Sequence, residues 1–271
     1  MVLQGTLGFL GFGNMGGAIL QGLIESEVLT GKHAIVYDPD PARRDLAQHL
    51  GAAAAQTPAE LASKCNVLLL AVKPQTMELA LREVRPALRE GTLVISIAAG
   101  LSIPWLHEQL GTGMRIIRVM PNTPALCHAG AAGIALGPGC TESDAAVARG
   151  IFRAVGTAEM VEESAMDVVT AVSGSGPAYF FYMVECLVKA GVSEGLPEEV
   201  ATRLATQTLV GAGMLIHATG EPASVLRAKV TSKGGTTEAA LRQMQDDKFE
   251  DVVRAAVAAA AARSRELGRS G

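Results

Sequence analysis

Residues 6–16 read Thr-Leu-Gly-Phe-Leu-Gly-Phe-Gly-Asn-Met-Gly, and this stretch decides the fold. The apolar run Leu7–Leu10 predicts a strand. It leads into Gly11, Gly13 and Gly16, and an amphipathic helix pattern follows through Ala18, Ile19 and Leu23. Such a turn lays a pyrophosphate on a helix N-terminus. The first glycine permits the tight turn, the second lets the backbone approach the phosphates, and the third lets helix and strand pack closely. Glycines at this spacing also occur in ordinary turns, so the context carries the reading. A strand precedes, a helix follows, and a second strand, Ala34–Tyr37, ends at Asp38, about 20 residues beyond the last glycine. Leu10, Gly11, Phe12, Gly13, Asn14, Met15 and Gly16 are the candidate contacts to a dinucleotide.

Working outward, strand and helix signals alternate over the first 160 or so residues. Further apolar runs fall at Val67–Val72, Leu93–Ile97, Ile116–Met120, Ala132–Leu136 and Ala158–Val161, with a weaker one at Ala52–Ala55, since alanine is a poor strand former. Strands that are apolar throughout are buried on both faces, which implies a mostly parallel, doubly wound sheet covered by helices. Near residue 162 the pattern changes to helices alone, at about Ala165–Ala190, Glu198–Ala218, Pro222–Lys229, Thr237–Gln245 and Phe249–Leu267. The expectation is an α/β Rossmann domain over residues 1–161 and an all-α domain over 162–271. The Ala165–Ala190 segment is apolar on several sides, so other helices or another subunit must enclose it. Both a dimerisation unit and a self-sufficient bundle fit; the dimer is the favoured reading.

The ligand crevice of such a sheet lies at the carboxyl ends of its strands. Three segments fall there: Ala71-Val72-Lys73-Pro74, Ile97-Ala98-Ala99-Gly100, and Met120-Pro121-Asn122-Thr123-Pro124. Small residues and prolines let the backbone approach a flat ring and its ribose. Each alone is an ordinary turn; three at successive strand ends favour a site. Asp38 would accept hydrogen bonds from an unphosphorylated ribose and repel a 2′-phosphate. Arg43 and Arg44, just beyond, could neutralise that phosphate instead, and Asp38 could simply begin the Asp-Pro turn or cap the helix after Pro41. NADH and NADPH both remain open here. The other dense segment is Val230-Thr231-Ser232-Lys233-Gly234-Gly235-Thr236-Thr237, ahead of Glu238. Hydroxyls and glycines at a helix start make a nest of N–H groups suited to a carboxylate, or an ordinary cap with Thr236 or Thr237 at its head.

Composition excludes several classes. The net charge is -4 and aromatics are 4%, with no basic run, so nucleic acid is not the expected partner. The four cysteines are scattered without a CxxC pair, which suits a reducing compartment and apolar filling. The five histidines show no metal-ligand spacing, and no metal is expected. No charged n-region precedes an apolar stretch at the N-terminus, and the alanine run 255–262 is too short to span a bilayer. A soluble cytoplasmic protein that does not engage membranes is expected.

The chain resembles the pyrroline-5-carboxylate reductase family over nearly its full length. The resemblance rests on Gly11-Phe12-Gly13-Asn14-Met15-Gly16, Ala71-Val72-Lys73-Pro74-Gln75 and Arg118-Val119-Met120-Pro121-Asn122-Thr123-Pro124. It continues through Ser173-Gly174-Ser175-Gly176-Pro177-Ala178-Tyr179, Gln207-Thr208-Leu209-Val210-Gly211-Ala212 and the Val230–Thr237 run. It implies reduction of 1-pyrroline-5-carboxylate to L-proline by NADPH or NADH. It implies a helical homodimer, with rings of dimers in some members, and an active site between the nucleotide domain of one chain and helices of the other. Gly11–Gly16 would hold the pyrophosphate, Ala71–Lys73 and Ala98-Ala99 would line the nicotinamide, Ser232–Thr236 would hold the substrate carboxylate, and the Thr237 hydroxyl would meet the ring nitrogen. Glu163 and Thr170 would line the same pocket. Two departures stand out: the loop proline usual in the family is Lys233 here, and an asparagine common near Thr57-Pro58 is missing.

Two other readings compete. β-Hydroxyacid dehydrogenases join a Rossmann domain to a helical one but use a lysine on the first long helix of the second domain. This chain has none between Asp167 and Glu185. A non-catalytic dinucleotide sensor would need no organised substrate loop, and the Ser232–Thr237 segment argues against it.

Overall fold

The computed structural model describes residues 5–269; the terminal residues 1–4 and 270–271 of the two expected domains lie outside the described residues. The sheet is eight-stranded, in the order β3-β2-β1-β4-β5-β6-β7-β8. The strands are β1 (Leu7–Leu10), β2 (Ala34–Tyr37), β3 (Ala53–Ala54), β4 (Val67–Leu70), β5 (Leu93–Ser96), β6 (Arg115–Met120), β7 (Gly130–Leu136) and β8 (Gly156–Met160). All neighbours are parallel except β6 and β7, which run antiparallel. The central strands β1, β4 and β5 are buried at every residue, as continuous apolar runs require. From β1 the chain steps outward to β2 and β3, then returns to place β4 on the other side of β1. This reversal opens the crevice of a doubly wound sheet at the carboxyl ends of β1 and β4.

The helices on the sheet are α1 (Asn14–Glu25), α2 (Pro41–His49), α3 (Pro58–Lys64), α4 (Pro74–Val84), α5 (Ile103–Leu110) and α6 (Glu142–Arg153). Proline in the first turn of α2, α3, α4 and α5 presets φ where no N–H bond is lost. Two apolar cores form, one on each face of the sheet. Phe9, Phe12, Ile19, Leu20 and Phe152 belong to one; Leu10, Leu61, Leu68, Met77 and Leu106 belong to the other. Each such side chain contributes about 1.5–3 kcal/mol on full burial.

The remaining helices are α7 (Met166–Val169), α8 (Gly176–Ser193), α9 (Glu198–Thr219), α10 (Ala223–Lys229), α11 (Thr236–Asp246) and α12 (Phe249–Arg269). The single helix expected over Ala165–Ala190 is therefore broken. A 3-10 turn (Glu163–Ala165) precedes α7, and a π-helical segment (Thr170–Gly174) separates α7 from α8. Periodicity did not show this because the cause is local hydrogen bonding. The Thr170 hydroxyl donates to Met166 O (2.8 Å), the Ser173 hydroxyl to Val169 O (3.0 Å), and Ser175 N–H reaches back to Thr170 O (2.8 Å).

The chain separates into two compact units: residues up to Ser175 together with the chain from Ala260 onward, and Gly176–Ala259. The division lies beyond residue 161, where the pattern of apolar residues changes. Side-chain ties explain the difference. Asn122 Nδ2 donates to Ser173 O (2.9 Å), Arg118 pairs with Glu163 (3.0 Å), and Ser264 donates to Asp167 (2.6 Å), which fastens 163–175 and the end of α12 to the sheet. In the second unit α8 packs along α9, yet only Gly176 and Ala201 are buried. Phe180, Phe181, Tyr182, Leu204 and Met214 all lie open. The four cysteines are unpaired. Cys65 is a buried filler whose thiol is pushed up to about 11 by burial, whereas Cys127 and Cys186 are exposed, contrary to the expected apolar filling. Among the described residues no helix is long and apolar enough to cross a membrane.

Candidate functional site

The glycine loop after β1 separates its three glycines by function. Gly11 has φ of +90°, and a Cβ there would lie 2.8 Å from Ala71 O, so it serves both the turn and the close approach of β4. Gly16 would bring a Cβ to 3.1 Å from Gly11 O, where α1 packs on the loop. Gly13 is different: a Cβ there meets nothing within 4 Å. The chain itself does not need glycine at that point. Gly13 is also the N-cap of α1; no side chain caps the helix and no acidic residue lies in its first turn. Open space in front of uncapped N–H groups fits a pyrophosphate.

Not every expected contact in this loop offers its side chain. Leu10 and Phe12 point into the two cores, and Phe12 stacks edge-on against Phe9 at 5.8 Å. Phe12 N–H is already donated to Asp38 Oδ2 (2.7 Å). Both residues act on the site through the backbone they position. Met15 packs partly on the core and Asn14 is exposed at the head of α1.

At the end of β2, Asp38 accepts from Phe12 N–H and, through Oδ1, from Asp40 N–H (2.9 Å). It begins the Asp-Pro turn and also ties the glycine loop to β2. It does not cap α2: Asp40 does, accepting from Ala42 N–H (2.9 Å). The Arg44 guanidinium donates to Asp38 O (2.5 Å) and Pro39 O (3.3 Å). Arg43 is half-buried and has no side-chain partner among the described residues.

The ends of β4, β5 and β6 lie along the same edge of the sheet. Ala71 N–H pairs with Leu10 O (2.8 Å), Val72 packs partly on a core, and the exposed Lys73 precedes Pro74 as the N-cap of α4, without a side-chain cap bond. Ala98 is buried in a core, whereas Ala99 is exposed. Asn122 is committed within the chain. Its Nδ2 donates to Ser173 O and its Oδ1 accepts from Ala131 N–H (2.8 Å), so it anchors the π-helical segment. Glu163 is likewise committed: Oε1 accepts from Ile103 N–H (3.1 Å) and Arg118 Nη1, while Oε2 is buried without a partner. Arg118 is 6% exposed. This cation is buried in β6 directly after the apolar pair Ile116-Ile117 and has no role in the sequence reading, although an arginine inside such a run is a visible signal. The Thr170 hydroxyl is spent on Met166 O.

The second dense segment forms the N-terminus of α11. Gly235 is the N-cap and makes no side-chain cap bond, so neither Thr236 nor Thr237 caps the helix. Gly234 has φ of +74°, and its N–H is taken by Glu238 Oε2 (2.7 Å). Gly235 N–H bonds to Ser232 O (3.0 Å), and a Cβ there would meet Ser232 Oγ at 2.4 Å. The loop is thus closed tightly on itself with Lys233 exposed at its tip. Thr237 is half-buried, and its hydroxyl has no partner among the described residues. The arrangement offers N–H groups and a hydroxyl at a positive helix end, the donor set for a carboxylate.

Comparison with known proteins agrees with this geometry. Residues 163–267 match the family described as pyrroline-5-carboxylate reductase dimerisation, and residues 6–100 match NADP oxidoreductase, coenzyme F420-dependent. A pyrroline-5-carboxylate reductase of Arabidopsis thaliana is 39% identical over 97% of this chain and 96% of its own. The structure of a pyrroline-5-carboxylate reductase from Coxiella burnetii superposes with a TM-score of 0.93 at 34% identity, covering 98% of this chain and 99% of that one. A Plasmodium falciparum pyrroline carboxylate reductase with NADP bound gives 0.85 at 31% identity, covering 99% and 100%. With sequence likeness at this level along the whole chain, and with the glycine loop and the α11 loop both built as described, the chain belongs to the pyrroline-5-carboxylate reductase family.

Proposed function

We propose that this protein reduces 1-pyrroline-5-carboxylate to L-proline with NADPH or NADH, the last step of proline synthesis. The observation that carries the reading is the uncapped N-terminus of α11, closed behind Ser232–Thr236, with the Thr237 hydroxyl left free beside it. A sensor without turnover has no use for such a loop, and the broken 163–193 segment carries only Lys189 as a lysine, beyond its middle.

The roles follow from the donors. N–H groups at the head of α1, in front of the open space at Gly13, hold the pyrophosphate. The backbone of Ala71–Pro74 and Ala98-Ala99 lines the nicotinamide, and Asp38 with Arg43 faces the adenosine ribose. Ser232, Lys233, Gly234, Gly235 and Thr236 surround the substrate carboxylate, with the Lys233 charge adding attraction. When bound, the reduced nicotinamide supplies a hydride to C5 of the cyclic imine. The Thr237 hydroxyl fixes the ring nitrogen and leads to water, from which the nitrogen takes its one proton before the hydride adds. A protonated imine already accepts hydride readily, so positioning is the main task of the protein, and near-attack geometry accounts for several kcal/mol of barrier. Asn122, Glu163 and Thr170 brace the backbone of the sheet unit behind its own cofactor crevice.

The domain reading that accompanies this function is a nucleotide domain over 1–161 and a helical dimerisation domain over 162–271. The open apolar helices of the second unit support a homodimer, with a ring of dimers as the larger assembly. The unpaired cysteines support residence in the cytoplasm. Initial rates of NADPH and NADH oxidation with pyrroline-5-carboxylate test the proposal. Saturable oxidation with either is expected; none with either, from a folded protein that binds dinucleotide, overturns it.

A further inference from the structure

We infer that Asp38 makes this chain select NADH over NADPH; the inference rests on the dinucleotide reading above and sharpens it. The ribose corner is where the chain must distinguish the two, since they differ only in a 2′-phosphate. At that corner the Asp38 carboxylate is fixed by two backbone donors, Phe12 N–H at 2.7 Å and Asp40 N–H at 2.9 Å. One donor belongs to the glycine loop and the other to the turn after β2. The carboxylate therefore cannot swing aside without releasing both.

A carboxylate has roughly four lone-pair sites, so two remain for the hydroxyls of a ribose. A 2′-phosphate brings only acceptor oxygens and a charge of about −1.5 to −2 to the same place. It meets a fixed like charge and finds no donor in it. An arginine could compensate, as in dinucleotide sites that take the phosphate. Arg44 is held back by one nitrogen: its Nη1 donates to the carbonyls of Asp38 and Pro39, so its charge sits beside Asp38 with part of its fork already used. A second carboxylate, Asp40, stands at the same corner as the cap of α2. The two guanidinium charges there, Arg43 and Arg44, are matched by the two carboxylates of Asp38 and Asp40. The corner has no net positive charge with which to hold a phosphate.

The test is calorimetric titration of the full-length protein with NADH and with NADPH, for the wild type, Asp38→Asn and Asp38→Ser. Rates with pyrroline-5-carboxylate and each reductant are measured in parallel. The wild type is expected to bind NADH at least about tenfold more tightly than NADPH, the factor expected of one unscreened unit charge at close range. Both variants keep an acceptor for Phe12 N–H, and each is expected to shift the ratio of the two Kd values toward NADPH by about tenfold. Equal or tighter binding of NADPH by the wild type overturns the inference. So does an equal loss of both affinities in the two variants, which is the result if Asp38 only braces the loop. Selective NADH binding without turnover would support the inference and sink the reductase reading. Binding of neither by a folded protein overturns the dinucleotide site and the inference together.

Discussion

The two compact units of this chain treat apolar residues in opposite ways. The sheet unit buries Phe9, Phe12, Leu20, Leu68 and Phe152 almost completely within itself. The helical unit, Gly176–Ala259, leaves Phe181 60% and Met214 65% exposed on helices of 18 and 22 residues. A domain core stabilises a fold alone; helices that expose such side chains need a second surface to cover them. The same density of apolar residues therefore specifies a core in one region and an interface in the other. The difference lies in whether the apolar positions fall on one face or around the whole helix.

The sharpest way to break this comparison is to charge the helical unit. Phe181→Glu should dissociate the proposed homodimer at micromolar concentration and with it abolish turnover, because an unpaired charge costs several kcal/mol in an interface that covers α8. Light scattering after size exclusion reads the assembly. A variant that stays dimeric with unchanged Tm would mean that α8 faces water and that the helical unit is held some other way.

Next in size is Thr237→Ala, which tests whether the helical unit also carries chemistry. The expected outcome is a fall in kcat of about 10²-fold or more, the range for losing the group that positions the ring nitrogen, with Tm unchanged. Wild-type turnover in this variant would confine the unit to assembly.

The glycine loop gives a matched pair within the sheet unit. Gly11→Ala forces a Cβ to 2.8 Å from Ala71 O at positive φ and should cost about 1–3 kcal/mol in urea unfolding. Gly13→Ala meets nothing in the chain, so its stability should stay within about 0.5 kcal/mol of wild type while dinucleotide affinity falls by about tenfold or more. If Gly13→Ala leaves affinity unchanged, the open space before α1 is not where the pyrophosphate sits.

How much of this was legible in the residues depends on how local the cause is. Strands β1, β2 and β4–β8 and the glycine loop follow from apolar runs and turn chemistry within a few residues, and they stand within two or three residues of where those signals put them. The break at Thr170–Gly174 was not legible. The run Val168–Val184 has helical periodicity, and the hydroxyls of Thr170 and Ser173 that turn back onto the helix do not alter it. The roles of Asn122 and Glu163 were also hidden. Asn122 is a ligand contact by its place in a motif and Glu163 only by the family resemblance, but their partners, Ser173 and Arg118, lie far along the chain and come together only in the fold. Asp38 stood between: its place at the strand end was plain, but the two N–H groups that fix it were not.

The smallest effect expected tests how the sheet unit holds its edge. Asp144 is buried on α6, paired with Arg115 (2.6 Å), and closes a capping box with Thr141. Burial alone would raise its pKa. The Thr141 N–H and hydroxyl and the Arg115 charge outweigh that and hold it below the usual carboxylate range. A carboxyl with a depressed pKa in the folded state adds stability that is fully present above its unfolded pKa and is lost as pH falls through the folded value. Asp144→Asn should therefore cost about 1 kcal/mol at pH 7, measured by urea unfolding. That difference should shrink below about pH 4 and vanish once the wild-type carboxyl is protonated. A penalty independent of pH would mean that Asp144 acts through shape and neutral hydrogen bonds, and that the Arg115 pair adds nothing at this edge of the sheet.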